Sequence, residues 1–225
     1  MAYVDPRKYP QTFETQLGWA ISLGVYPSED GYSAADNLTT LGKHLDANPT
    51  LPLGPIGLDW RTASPIERDE QRGIFRKMLL YASLHRPLIN SLRSAAWENP
   101  DLIYFPALKD VQEHCGSTQP MHVRAFTGSN SMVRNWIHFF PNNYVNVVVG
   151  KRPQTQQVET LKEVLGERLL LESAGPVMSG AGEIGFFSPF LSGEIGTYMI
   201  TWLDMDIELV AILGSNRGQR LFNLV

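Results

Sequence analysis

An α/β fold on a parallel sheet is what this sequence predicts, and two observations predict it. Short apolar runs alternate with longer amphipathic stretches, and the runs are near-continuous rather than alternately apolar and polar. Continuous runs suit strands covered on both faces, and strand–helix alternation suits right-handed βαβ crossovers. With 225 residues, 43% of them hydrophobic, the chain can bury one large core, and its length does not force a second domain.

In chain order, LGWAISLGV (17–25), LGPIGLDW (53–60), RPLINSLR (86–93), MHVRAF (121–126), YVNVVVG (144–150) and RLLLES (168–173) each read as a buried strand. Between the second and third lies ASPIERDEQRGIFRKMLLYASLH (63–85). It opens with Ser64 as a cap, Pro65 at the first helical position and acids in the first turn. Its Ile74, Phe75, Met78, Leu79 and Ala82 fall on one helical face. QTQQVETLKEVLG (154–166) and DIELVAILGSNRGQRLF (206–222) read as helices for the same reason. Residues 176–200 hold five Gly and two Pro and read as a long loop after the last strand, a place where barrels often carry function. Its aromatics Phe186, Phe187, Phe190 and Tyr198 could stack on bases, but the Gly-rich spacing favours packing on a neighbouring surface.

Composition excludes several classes. The net charge is -4 and the basic runs are no longer than pairs such as Lys151-Arg152, so there is no electrostatic footprint for non-specific nucleic-acid binding. The single cysteine, Cys115, rules out a disulfide framework within the chain and any CxxC metal site. The first residues, MAYVDPRKYPQTFETQLG, lack the apolar core of a signal peptide, and no segment has the ~20 apolar residues of a membrane span. The expectation is a cytosolic or organellar-matrix protein, for example mitochondrial, neither secreted nor membrane-inserted.

Ordinary catalytic signatures fail in turn. The five histidines, His44, His85, His114, His122 and His138, show no HxH or HxxxH spacing, and His122 alone falls in a strand run. A lone strand histidine reads better as a hydrogen-bonded core residue than as a ligand. No GxSxG, GxGxxG or GxxxxGK[ST] occurs. His114 and Cys115, read as neighbours in a strand, would point to opposite faces and make no dyad.

The order of GVYP (24–27), IGLDWR (56–61), a helix with Gln71 and Phe75, RPLINSLRSA (86–95), RAFTGS (124–129), LLLESAGP (169–176) and NRGQRLF (216–222) resembles the TatD family. These are metal-dependent deoxyribonucleases of the amidohydrolase-type TIM-barrel class. The resemblance runs from about residue 18 to the C-terminus and implies a TatD-like (β/α) barrel over 18–225, with 1–17 as an N-terminal extension. It also implies a ligand set for a divalent metal such as magnesium or zinc, and this chain departs from that set. The family's Glu before Ile-Gly-Leu-Asp is Pro55, the His of His-Ser-Arg is Ser91, the His of His-x-Phe-Thr-Gly is Arg124, and the Asp of Glu-Thr-Asp-Ala-Pro is Ala174. The family's opening His-x-His strand has no counterpart, and its His-Pro after the third strand is Tyr26-Pro27. No metal or other cofactor is therefore expected.

Asp59, Arg61, Arg93 and Glu172 remain near the strand ends together with Arg124. One reading is an ion-pair network that neutralises the former metal pocket. The other is an anion site in which Arg93 and Arg124 grip a phosphate or carboxylate. Only about 16 residues precede the first apolar run, whereas two strand–helix units need roughly 50, so the sequence predicts an incomplete barrel of about six of eight strands. Open strand edges call for cover by other chains in an oligomer or larger assembly. The expectation is a catalytically inactive TatD-like subunit with a structural role in a multiprotein or ribonucleoprotein assembly. The alternatives are an active TatD-type deoxyribonuclease and an anion-binding module. Direct contact with nucleic acid stays open.

Overall fold

The computed structural model describes residues 2–3, 9, 21–25, 34–82, 86–95, 98–147, 155–164, 168–171 and 192–222. Strands β1 (Ala2–Tyr3), β2 (Ser22–Leu23), β3 (Leu53–Asp59), β4 (Leu88–Arg93), β5 (Met121–Arg124) and β6 (Asn143–Val145) make one sheet in chain order, every pair parallel. Leu169 continues it through a parallel bridge to Val145, where Val145 N–H donates to Arg168 O (2.8 Å) and Leu170 N–H to Val145 O (3.0 Å). Helices α1 (Ala34–Ala47), α2 (Pro65–Leu79), α3 (Asp101–His114), α4 (Asn130–Phe139) and α5 (Thr155–Val164) separate the strands from β2 onward, and α6 (Ser192–Leu203) and α7 (Ile207–Phe222) follow. Consecutive parallel strands joined by helices are the wall of a β/α barrel.

Four of the expected strand runs contain β2 to β5, the fifth, 144–150, overlaps β6 at Tyr144 and Val145, and the sixth, 168–173, contributes the Leu169 bridge, with 148–150 and 172–173 outside the described residues. The sheet also takes in Ala2–Tyr3 from the stretch read as an N-terminal extension. Tyr9 from the same stretch donates its hydroxyl to Gly24 O (2.9 Å) and meets His44 edge-on. Among the described residues no pairing joins β1 to the Leu169 end.

Helix α2 begins as its sequence requires. Ser64 Oγ accepts from Glu67 N–H, and Glu67 Oε2 accepts from Ser64 N–H (2.7 Å), a reciprocal cap. Phe75, Met78 and Leu79 are buried against the sheet residues Leu53, Ile56, Leu58, Leu88, Leu92, Met121 and Val123 in the core. Two corrections concern helices. Residues 192–203 are helical where the Gly and Pro count had predicted loop to residue 200; residues 176–191 lie outside the described residues. Packing overrides the local glycines, because Met199 is buried in the same core cluster as Leu169 and lines a small cavity with Leu171, Val210 and Gly214. Helices α1, α3 and α4 add to the three expected ones; α3 carries Pro106 in its interior, which masks a helical pattern.

Charge holds the helix layer together. Asp110 on α3 is fully buried, and its carboxylate accepts from Arg72 Nε (3.0 Å) and Nη2 (2.8 Å) and from Arg76 Nε (2.8 Å). The hydrogen bond to Asp110 raises the Arg72 pKa above its ordinary value. Arg86 is buried just before β4, where Nη1 donates to Tyr81 O (2.6 Å) and Nη2 to Leu45 O (2.8 Å). Its guanidinium thus meets carbonyls at the C-terminal ends of α2 and α1, where cations are favoured, while burial lowers its pKa. Among the described residues no helix is long and apolar enough to cross a membrane.

Candidate functional site

Register brings the singled-out residues together. Gly57 pairs with Ser91, Ser91 with Arg124, and Asp59 with Arg93. Paired residues share a face and alternate residues return to it, so Gly57, Asp59, Ser91, Arg93 and Arg124 line one face of β3, β4 and β5. Ile56, Leu58, Leu92 and Val123 lie on the other. Pro55 is buried two residues before Gly57, across a register shift that falls between Leu53 and Ile56. Gly57 has φ +150°, and a Cβ there would lie 2.0 Å from Ser91 O. Glycine is what lets β3 and β4 approach at the Ser91 position.

At the strand ends Asp59 is tightly held. Its carboxylate accepts from Arg61 Nε (2.9 Å) and Nη2 (2.5 Å), with Asp59 5% exposed and Arg61 50%. Gln71 on α2 clamps the Asp59 backbone both ways: Oε1 accepts Asp59 N–H (2.8 Å) and Nε2 donates to Asp59 O (2.9 Å). Beside it, the Arg68 guanidinium lies 5.0 Å from the Trp60 ring centroid and pairs with Glu98 at 2.8 Å. Arg93 and Arg124 are half-buried and are the last residues of β4 and β5.

The segment after β5 is strapped to α3. Tyr104 OH accepts Thr127 N–H (3.0 Å), and the Asp101 carboxylate accepts Ser129 N–H (2.8 Å) and Ser129 Oγ–H (2.5 Å). Ser129 in turn caps α4 by accepting Met132 N–H (3.2 Å). Ala125 takes a left-handed φ of 49°, and its N–H donates to Asn146 Oδ1 (2.8 Å). The same oxygen lies 3.2 Å from His122 Nε2, so His122 is a buried, hydrogen-bonded strand residue.

The structure thus gathers Asp59, Arg61, Ser91, Arg93 and Arg124, with Pro55 at the foot of the same strand. Glu172 and Ala174 lie outside the described residues. His114 and Cys115 sit at the end of α3 rather than in a strand, and His114 Nδ1 is 2.7 Å from Asp110 O; a dyad fails because this ring is turned to its own helix. The clamp by Gln71, the Asp101 strap and the Asn146 brace were not legible as roles. Only the capping pattern of Ser129 ahead of α4 offered a local signal.

A family model described as TatD related DNase matches residues 9–223. The chain belongs to this family. Among solved structures, the TatD family homologue YjjV of Escherichia coli K12 superposes with a TM-score of 0.65 at 20% identity, covering 91% of this chain and 76% of that one. An uncharacterized amidohydrolase from Saccharomyces cerevisiae gives 0.63 at 15% identity, over 90% of this chain and 80% of that one. Comparison with curated protein sequences found no significant match. The fold is a TatD-like α/β barrel of the TIM type.

The TatD family is metal-dependent, and the residues at this chain's matching positions do not fit a divalent cation. Pro55 has no side-chain donor, Ser91 offers a neutral hydroxyl, and Arg124 brings a permanent positive charge. Among the described residues no three His, Cys, Asp or Glu side chains converge as a metal-binding group.

Proposed function

We propose that this TatD-family chain is a pseudoenzyme, without metal-assisted phosphodiester hydrolysis, that serves as a structural subunit of a larger protein or ribonucleoprotein assembly. The observation that carries the reading is Arg124, paired in register with Ser91 on the face that Asp59 and Arg93 share. A guanidinium ~4 Å from a divalent cation would repel it by roughly 8 kcal/mol at an effective dielectric of about 20. Losing one ligand would weaken a metal site; placing a cation inside it opposes occupancy outright.

The structural role is supported by apolar side chains turned to solvent on the helix layer. Leu102 and Phe105 stand three residues apart on α3, 55% and 63% exposed, and Ile207 and Ile212 on α7 and Trp202 on α6 are exposed as well. Surfaces of this kind favour association over a solitary existence. The test has two arms. The full chain is incubated with single- and double-stranded DNA in magnesium, manganese or zinc, and its native mass is measured after purification from its own cells without overexpression. No cleavage and a mass well above 25.2 kDa are expected. Robust metal-dependent cleavage would overturn the pseudoenzyme reading, and a lone monomer the assembly reading.

A further inference from the structure

We propose that the groove between α4 and α5 docks an acidic segment of a partner protein, in which an apolar side chain is flanked by Asp or Glu. The inference rests on the assembly reading above and names a surface that serves it. The groove holds about 590 Å³ and is lined by Arg134, Ile137 and His138 of α4, Glu163 and Val164 of α5, and Arg168. Helix α4 leads from β5 to β6 and α5 from β6 to Leu169, so their last turns and Arg168 lie where strands begin. Arg93 and Arg124 are the last residues of their strands, so this surface is separate from the positions that match the family's ligands.

Charge sets the class of occupant. Arg168 is half-buried on the groove wall, and among the described residues nothing pairs with its guanidinium. Arg134 meets Glu163 at 3.0 Å, but the two are 59% and 32% exposed. A bridge so open to solvent contributes little and exchanges readily with an incoming carboxylate. The lining thus carries two arginines against one acid, in a chain whose net charge is -4. Helix C-termini disfavour anions, yet here Arg168 N–H donates to Val164 O (3.3 Å) and Phe140 N–H to Trp136 O (3.0 Å), which closes a carbonyl on each helix. The rest of the lining is apolar where it meets the core, with Val164 buried in it and Ile137 packed against it. That combination suits a peptide with an apolar anchor and carboxylates beside it, since arginine clusters take acidic motifs. Nucleic acid would need a longer run of unopposed cations, and a small molecule needs a site that encloses it.

The experiment places a photo-crosslinking benzophenone amino acid at Asn135, which is exposed and also lines the groove, in the full chain produced at its natural level in its own cells. After irradiation the crosslinked segment is identified by mass spectrometry, and the native mass of the unirradiated protein is measured alongside. The expected product is a crosslink to a protein segment with Asp or Glu on either side of an apolar residue. Arg168→Glu and Arg134→Glu should each lower its yield by roughly fivefold or more, and Glu163→Gln, which frees Arg134, should raise it. If a charge reversal fails to fold, Arg168→Gln and Arg134→Gln take its place and should lower the yield by roughly twofold or more. Three results overturn the groove and leave the assembly reading intact: a crosslink to a basic or uncharged segment or to nucleic acid, a yield that ignores these charges, or no crosslink from a protein whose native mass is well above 25.2 kDa. A lone monomer overturns both.

Discussion

The same substitution at two glycines should act in opposite directions. At Gly57 a Cβ would lie 2.0 Å from Ser91 O, 2.9 Å from its carbonyl carbon and 3.1 Å from its nitrogen, and φ is +150°. The obstacles are all backbone, so relief requires β3 and β4 to separate by about 1 Å in the middle of their ladder. Backbone strain of about 1–3 kcal/mol and overpacking of about 1–3 kcal/mol together give roughly 2–6 kcal/mol of destabilisation. For a chain of this size that lowers the melting point by about 4–24 °C. At Gly73, inside α2, an added Cβ meets nothing within 4 Å. There, Gly→Ala reduces the unfolded chain's freedom and improves helix propensity, stabilising by about 0.4–1 kcal/mol, or about 1–4 °C. Thermal unfolding followed by circular dichroism decides both. A Gly57→Ala protein melting within 2 °C of the parent, or a Gly73→Ala protein melting lower, would refute the reasoning that contact and φ set the sign.

Other expectations follow from burial. Asn90 is fully buried on β4 with neither amide atom hydrogen-bonded; Asn90→Val should raise stability by about 1–3 kcal/mol in denaturant titration, and a loss would mean that the amide is satisfied by bound water. Asp110→Ala leaves the Arg72 and Arg76 guanidiniums without their shared carboxylate; because both reach solvent, the loss should fall at or below the roughly 3–5 kcal/mol typical of a broken buried pair, and no loss would show that both arginines hydrate freely. Burial pushes the Cys115 thiol from 9.0 up to about 11. Its thiolate at pH 8 should be roughly a hundredfold scarcer in the folded than in the unfolded chain. Iodoacetamide labelling should therefore be slow until the protein unfolds, and rapid native labelling would contradict the burial.

What was legible in the sequence was what neighbouring residues decide. Apolar runs marked β2 to β6 because strands buried on both faces need continuous apolar character. Ser64-Pro65 with Glu67 marked the start of α2 because a cap closes within one turn. Pro55, Ser91 and Arg124 departed from the TatD pattern in their side-chain chemistry, which no fold can change. The harder features depend on partners far along the chain. Helix α6 exists despite its glycines because Met199 is buried in the core cluster that includes Leu169, and the segment around Thr127 and Ser129 is held by Tyr104 and Asp101 on α3. Ala2–Tyr3, too short to register as a strand, becomes one because β2 presents a parallel edge. By itself, then, the sequence determined the alternation of strand and helix and the side-chain chemistry at Pro55, Ser91 and Arg124. Only the tertiary structure decided that Asp59 pairs with Arg61 while Ser91, Arg93 and Arg124 share a face, because register is a property of strands brought together.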